Sequence, residues 1–242
     1  MVKPARPPSS SARRPALAPL DTAKRSDQAA DQLEAAILAG DFPIGEQLPA
    51  ERELAERLGI GRPAVREAIR VIEHRGLVTV RHGIGTTVTG VTSRPVRETC
   101  ARALPQGADR ARHLLEARLA LEVETAALAA RRARASDLKA MEAALSAFDA
   151  ATTREEQARH DLAFHLALGL ASGNPLLPLL LEPLDDLLHA DRIAGLHHLT
   201  AAAAATQHRR IVAAIRAKDP QAASAAMRDH LTAVGAACGI AR

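Results

Sequence analysis

Apolar positions recur at helical spacing over most of this chain. Ala29, Ala30, Leu33, Ala36 and Ile37 form one stripe, which predicts a helix over 26–39 that Gly40 ends. The turn-rich "GDFPIGEQLP" follows. Leu54, Ala55 and Leu58 mark a second helix, with Pro49 in its first turn and Gly59 as the left-handed residue that stops it. After a tight turn at Ile60-Gly61, Val65, Ala68, Ile69 and Ile72 predict a helix over 62–74, stopped by Gly76. Its other side carries Arg62, Arg66 and Arg70 at i, i+4 and i+8. The period then changes. Val78 and Val80 alternate with polar residues, His82-Gly83-Ile84-Gly85 makes a turn, and Thr86 and Val88 resume the alternation, the pattern of a β-hairpin.

The polar stretch "TGVTSRPVRET" over 89–99 reads as linker with Pro95 as its stiff point. Residues 93–107 are accordingly expected to join a domain at 23–92 to a second at 108–238. Beyond residue 108 the texture becomes Ala/Leu-rich, and helices are predicted near 109–133, 136–150, 154–171, 175–192, 199–217 and 220–237. Ser136 is expected as an N-cap, Gly173-Asn174-Pro175 as a stop and restart, and Asp219-Pro220 as a break. The expected fold is mainly α: an N-terminal winged helix-turn-helix with a small β-hairpin wing, then an all-α helical bundle. Residues 1–22, rich in Pro, Ser and Arg, are expected to be a disordered tail whose Lys3, Arg6, Arg13 and Arg14 are solvated.

Composition narrows the classes. The 242 residues are 47% hydrophobic and 25% charged, as in soluble globular proteins. There are three Phe and no Trp or Tyr, so the core must be Ala, Leu, Ile and Val, and an aromatic platform for single-stranded nucleic acid is not expected. The net charge of +4 is only mildly basic. Cys100 and Cys238 fit no metal or redox spacing and are expected as reduced thiols. No run reaches the roughly 18 apolar residues of a membrane span, and the N-terminus has no apolar signal core. A cytoplasmic protein without a membrane partner is expected.

Two short helices, a Gly turn and a hairpin suit double-stranded DNA, because one helix fits the major groove and a guanidinium row reaches phosphates or guanine edges. Arg81 and His82 of the wing would lie against the backbone or minor groove. Residues 26–89 resemble the DNA-binding domain of the GntR family of bacterial transcription regulators. The resemblance is carried by "GEQLPAERELAERLG" (45–59), "RPAVREAI" (62–69) and "GLV…RHG-x-GT" (76–86). It implies that Arg52, Arg62, Arg66, His82 and Gly83 touch DNA. Gly61 stands where that family usually has Ser or Thr, which implies a weaker phosphate anchor with no loss of fold.

The stretch "RHDLAFHLALG" (159–169) puts Asp161 and His165 on one face of an otherwise apolar helix. His208 and His230 each lie about 11 residues from the Asp219 break, roughly 16 Å of helix, so a hairpin would hold them level. Spacing alone leaves open an exposed pair with structural histidines, or a metal site. Residues 110–237, however, resemble the FCD ligand-binding domain of FadR-type regulators in "EARLALE" (116–122), "DLAFHLAL" (161–168), "ASGNP" (171–175), "HRRIVAAI" (208–215) and "MRDHL" (227–231). That resemblance implies that Asp161, His165, His208 and His230 hold a divalent transition metal, zinc first and nickel or another second. It also implies that Arg118 and Asn174 bind a small carboxylate effector. On the residues alone, Arg118 pairs with Glu122 at i+4 and Asn174 caps the helix that Pro175 opens. Gln207 replaces a Glu frequent in the family. The expected function is a ligand-responsive repressor, homodimeric on a DNA operator with two half-sites. The alternatives are a metal-free regulator taking an acyl ligand and, lower, a metal-dependent hydrolase or oxygenase, for which no further Glu or His nominates a general base.

Overall fold

The computed structural model describes residues 23–105, 108–193, 200–237 and 239. The tail at 1–22, its four basic residues, and Cys238 lie outside the described residues. The chain divides into two compact units, Met1–Val88 and Thr89–Arg242.

In the first unit, α1 (Ala23–Ala39), α2 (Glu51–Leu58) and α3 (Arg62–His74) precede a hairpin of β1 (Val78–Arg81) and β2 (Gly85–Val88). The predicted stripes do the packing: Ala30, Leu33 and Ile37 of α1, Leu54 of α2, Val65, Ile69 and Ile72 of α3, and Val78 and Val88 of the hairpin form one core. Gly59 ends α2 at φ 64, a left-handed conformation that Gly adopts without a Cβ penalty. Gly61 precedes α3 in extended backbone with no side-chain cap, so the missing hydroxyl costs a cap and not the helix. The strands pair in register Val78↔Val88 through Arg81↔Gly85. The backbone N–H of Val80 also donates to Glu73 Oε1 at 2.9 Å, tying the hairpin to the end of α3.

Two expectations change here. Pro49 lies two residues ahead of α2 instead of in its first turn. The stretch read as turn-rich ends in a second ladder on β2: Gly45 N donates to Val88 O, Val88 N to Glu46 O and Leu48 N to Thr86 O, at 2.8–2.9 Å. It shows no alternation because three residues make the ladder and one of them is Gly.

The second unit holds α4 (Arg94–Ala103), α5 (Ala108–Arg132), α6 (Ala135–Ala150), α7 (Arg154–Ala171), α8 (Leu176–Ile193), α9 (Ala201–Arg216) and α10 (Pro220–Ala237). Central α5 packs on α7, α8, α9 and α10. Its Ala126, Ala129 and Ala130, all 0% exposed, let backbones approach closely. The stretch at 93–107, expected as linker, instead contains α4. Pro95 sits in that helix's first turn, where its missing N–H costs nothing. Ser93 Oγ donates to Glu182 at 2.6 Å, Arg97 pairs with Asp186, and Cys100, Ala101 and Leu104 pack on the bundle core. The sequence hid α4 because its apolar face is only half-buried. Ser136 does not cap α6; the Asp137 carboxylate accepts the Arg134 N–H instead, at 2.7 Å. Asp219 does cap α10, its Oδ1 accepting from Gln221 and Ala222 N–H at 3.1 and 3.0 Å. Among the described residues no helix is long and apolar enough to cross a membrane.

Ile72 is 0% exposed between α3 and its neighbours. Ile72→Ala is expected to cost about 2–5 kcal/mol of unfolding free energy. Urea unfolding checks it, with a lowered midpoint and an unchanged slope as the expected result.

Candidate functional site

On the first unit, Arg62, Arg66 and Arg70 are exposed on α3 and Arg52 is exposed on α2. Arg52 and Arg70 pair within their own helices, with Glu56 at 2.9 Å and Glu67 at 3.4 Å. Arg66 reaches across to α2 and makes two bonds to Glu51, Nε to Oε1 at 3.0 Å and Nη2 to Oε2 at 2.8 Å. The positive charge of Arg66, Arg62 and Arg70 holds the Glu51 carboxyl below its usual range, the Arg66 bond being the largest cause. His82 and Gly83 stand exposed at the wing tip, where Gly83 takes φ 76. The residues expected at DNA thus present one open basic face on α3 and an open turn.

The second unit buries the other constellation. His208 on α9 and His230 on α10 do fall level across the hairpin, Nε2 to Nε2 at 3.3 Å. Asp161 Oδ1 lies 3.4 Å from His208 Nε2. His165, one turn beyond Asp161 on α7, completes a group of three imidazoles close enough to share an ion. All three imidazoles are 0% exposed and Asp161 is 5% exposed, so the exposed-pair reading does not hold. Two of the chain's three Phe wall the group: Phe164 stacks on His208 with centroids 4.3 Å apart, and Phe148 meets its edge at 6.0 Å.

The donor set fits a divalent transition metal. Two ligands about 2.0–2.1 Å from one ion at the tetrahedral angle stand roughly 3.3–3.4 Å apart. His208 Nε2 keeps that spacing to His230 Nε2 and to Asp161 Oδ1, while the three donors that all lie within 4.8 Å of one another are those of His165, His208 and His230. His230 faces Gln207 Oε1 through Nδ1 at 3.0 Å. Donation from Nδ1–H leaves Nε2 as a bare lone pair facing the other donors. Burial, with the His208 and His165 charges adding to it, pushes His230 well below the usual imidazole range, which keeps it in the neutral ligating form.

Sequence reasoning paired Arg118 with Glu122 but missed Asp185, the second carboxylate beside it. This guanidinium is 0% exposed and pairs with Glu122, one turn on, and with Asp185 of α8 at 2.8 Å. Burial opposes its charge, and the two carboxylates overcome that and hold its pKa above the ordinary value. The carboxylates respond oppositely. Burial works against both, yet Arg118 and His165 hold Glu122 below its usual range, whereas burial prevails at Asp185 and pushes it up to about 6. Glu122 Oε2 also lies 2.6 Å from His165 Nδ1, close but poorly aligned for an N–H···O bond. Burial lowers His165, and attraction to Glu122 and Asp185 more than reverses it. Arg118 Nη2 stands 3.2 Å from His165 Nε2, and Arg118 Nη1 has no hydrogen-bond partner. Glu122 was visible as the i+4 neighbour of Arg118; Asp185 sits in "PLDDLLH", where nothing marks it. Asn174 uses its side-chain oxygen to accept the Leu176 N–H at 3.1 Å, the work of a cap for α8.

Comparison with known proteins adds the following. Residues 25–88 match the family of bacterial regulatory proteins, gntR family, and residues 113–233 match the FCD domain. An uncharacterised HTH-type transcriptional regulator of Mycobacterium tuberculosis is 36% identical, over 89% of this chain and 90% of that protein. The HTH-type transcriptional repressor NanR of Citrobacter rodentium is 32% identical over 90% and 86% of the two chains. The Glc operon transcriptional activator of Escherichia coli K12 is 30% identical over 85% of each. Among solved structures, a Streptococcus agalactiae GntR protein superposes with TM-score 0.68 at 33% identity, covering 86% of this chain and 98% of its own.

Arg118→Ala would leave Glu122 and Asp185 buried together without their cation. A loss of about 3–5 kcal/mol in unfolding free energy is expected. A urea midpoint equal to that of the parent would show that the guanidinium is not holding the two carboxylates in the core.

Proposed function

The chain belongs to the GntR family of bacterial regulatory proteins and carries an FCD domain, so it is a DNA-binding transcription regulator and not an enzyme; from that premise we propose how it is controlled. It acts in the cytoplasm as a homodimeric repressor on a double-stranded operator. A small carboxylate metabolite, bound beside a divalent metal in the helical unit, changes its hold on DNA. One observation carries the reading: Arg118 keeps a buried, partnerless N–H beside a donor set spaced for a cation. A buried N–H without a partner is rare, and a carboxylate oxygen is the group that satisfies a guanidinium best.

Asp161, His165, His208 and His230 would hold the ion, the imidazoles suiting zinc or nickel and the carboxylate adding charge compensation. When bound, the metal supplies positions open to an effector oxygen. Gln207 orients His230 through its amide oxygen. Arg118 Nη2 stands 3.2 Å from His165 Nε2, so were His165 to hold an ion through that nitrogen, this Arg118 N–H would be left for an effector carboxylate. The buried charges of Arg118, Glu122, Asp161 and Asp185 suit a carboxylate better than an acyl chain, which weighs against the metal-free reading. NanR is named a repressor and the Glc operon protein an activator; repression is the reading chosen for this chain. On the DNA side, Arg52, Arg62, Arg66 and Arg70 face the major groove and backbone, and His82 and Gly83 place the wing. Control follows if the effector binds two arrangements of the dimer unequally.

Stripping metal with a chelator is expected to lower the melting temperature by several degrees, and zinc is expected to restore it, since an ion at a hundred times its Kd adds about 2.7 kcal/mol. His208→Ala should melt lower and lose both responses. Melting indifferent to chelator, zinc and mutation removes the metal from the proposal. Separately, Arg66→Ala is expected to weaken binding to a duplex selected by this protein from a random pool by about 1–3 kcal/mol. The salt slope should fall by about one if the guanidinium also meets phosphate. Unchanged affinity and slope would take Arg66 out of the interface.

A further inference from the structure

The contact between Arg66 and Glu51 differs from the other ion pairs on the basic face. It joins two helices, and it uses one edge of the guanidinium completely, Nε to Oε1 at 3.0 Å and Nη2 to Oε2 at 2.8 Å. A guanidinium has a second fork, at its end, made of one hydrogen each from Nη1 and Nη2. Glu51 leaves that fork open. It is the fork that fits guanine O6 and N7 in the major groove. Both side chains are substantially exposed, 53% for Arg66 and 32% for Glu51, so the pair adds little to folding. Its effects are on direction and charge. A long, rotamer-rich side chain is fixed before DNA arrives, and its positive charge is balanced where a phosphate would otherwise attract it.

We infer that Glu51 is a positioning residue that sets DNA specificity: it aims the end of Arg66 at a guanine and suppresses the hold of Arg66 on DNA of any sequence. The inference rests on the reading that the α3 face enters the major groove. Of the three arginines on α3, Glu51 bonds Arg66, so removing its charge frees that one cation for phosphate contact.

The test uses the full chain, a duplex it selects from a random-sequence pool, and a mixed-sequence duplex, each titrated between about 50 and 200 mM salt. Glu51→Gln is expected to bind the mixed duplex more tightly, with a salt slope steeper by about one, and to lose about tenfold in the ratio of selected to mixed binding. Glu51→Asp keeps the charge but is too short to reach both nitrogens, so it should lose the ratio and keep the slope. In an Arg66→Ala background, Glu51→Gln should leave the ratio unchanged, which a merely structural Glu51 would not produce. Both Glu51 variants should melt within a few degrees of the parent. Ratio and slope within twofold of the parent for Glu51→Gln, beside a weakened Arg66→Ala, overturn this inference alone. So does weaker binding to the selected duplex with unchanged mixed-duplex binding, which would mean that Glu51 reads cytosine itself. If Arg66→Ala binds as the parent does, the underlying reading fails and this inference falls with it. Should Glu51→Gln not fold, single 7-deazaguanine replacements in the selected duplex decide with the parent protein. A loss of tenfold or more at one guanine is expected, and less than twofold at every guanine overturns the aim of Arg66.

Discussion

Charge inside the helical unit is tolerated only in company. Arg118, Glu122, Asp185, His165 and Asp161 come from three helices, α5, α7 and α8, and each is at most 7% exposed. Any one of them alone in an Ala/Leu core would be expelled or neutralised, because desolvation of a lone ion outweighs what packing returns. Together they fix which faces of those helices meet. The Ala-rich stretches of α5 and α10 pack closely but specify register poorly, since small side chains interlock little. The polar group supplies that specification.

The same constraint explains what could be read beforehand. Helical stripes, Gly stops and the hairpin alternation are local signals, and Val65, Ala68, Ile69 and Ile72 lie where their spacing put them. His208 and His230 were placed level by counting from Asp219, because a tight helical hairpin is close to a rigid ruler. Asp185 had no such ruler. Its partner lies on another helix, and its neighbours Leu184 and Leu187 say only that this part of α8 is buried. The helix α4 was hidden for the opposite reason: one face is half-buried, so polar residues dominate its sequence. Glu51 was quoted within a motif, but its bond to Arg66 spans a turn whose path the sequence does not give.

The two units divide the work by different physics. In the first, arginines are exposed and paired weakly, so they can exchange a carboxylate for a phosphate or a base at small cost. In the second, the guanidinium is sealed among carboxylates and imidazoles, where an exchange of partners carries a large electrostatic consequence. On the function proposed above, the first suits a reader that lets go readily and the second a sensor whose response is steep.

The short ladder at 45–48 bears on behaviour at high concentration. A two-stranded hairpin leaves two open borders at which a neighbouring molecule can zip on by backbone pairing. Here β2 is flanked on one side by β1 and on the other by Gly45, Glu46 and Leu48, so its amides and carbonyls are already spoken for. Two short borders remain, the outer side of 45–48 and that of β1, which is four residues long with Val80 N tethered to Glu73. Too little backbone is on offer for fibrillar stacking to nucleate there, and the wing can stand out from the reader without becoming a seed for precipitation.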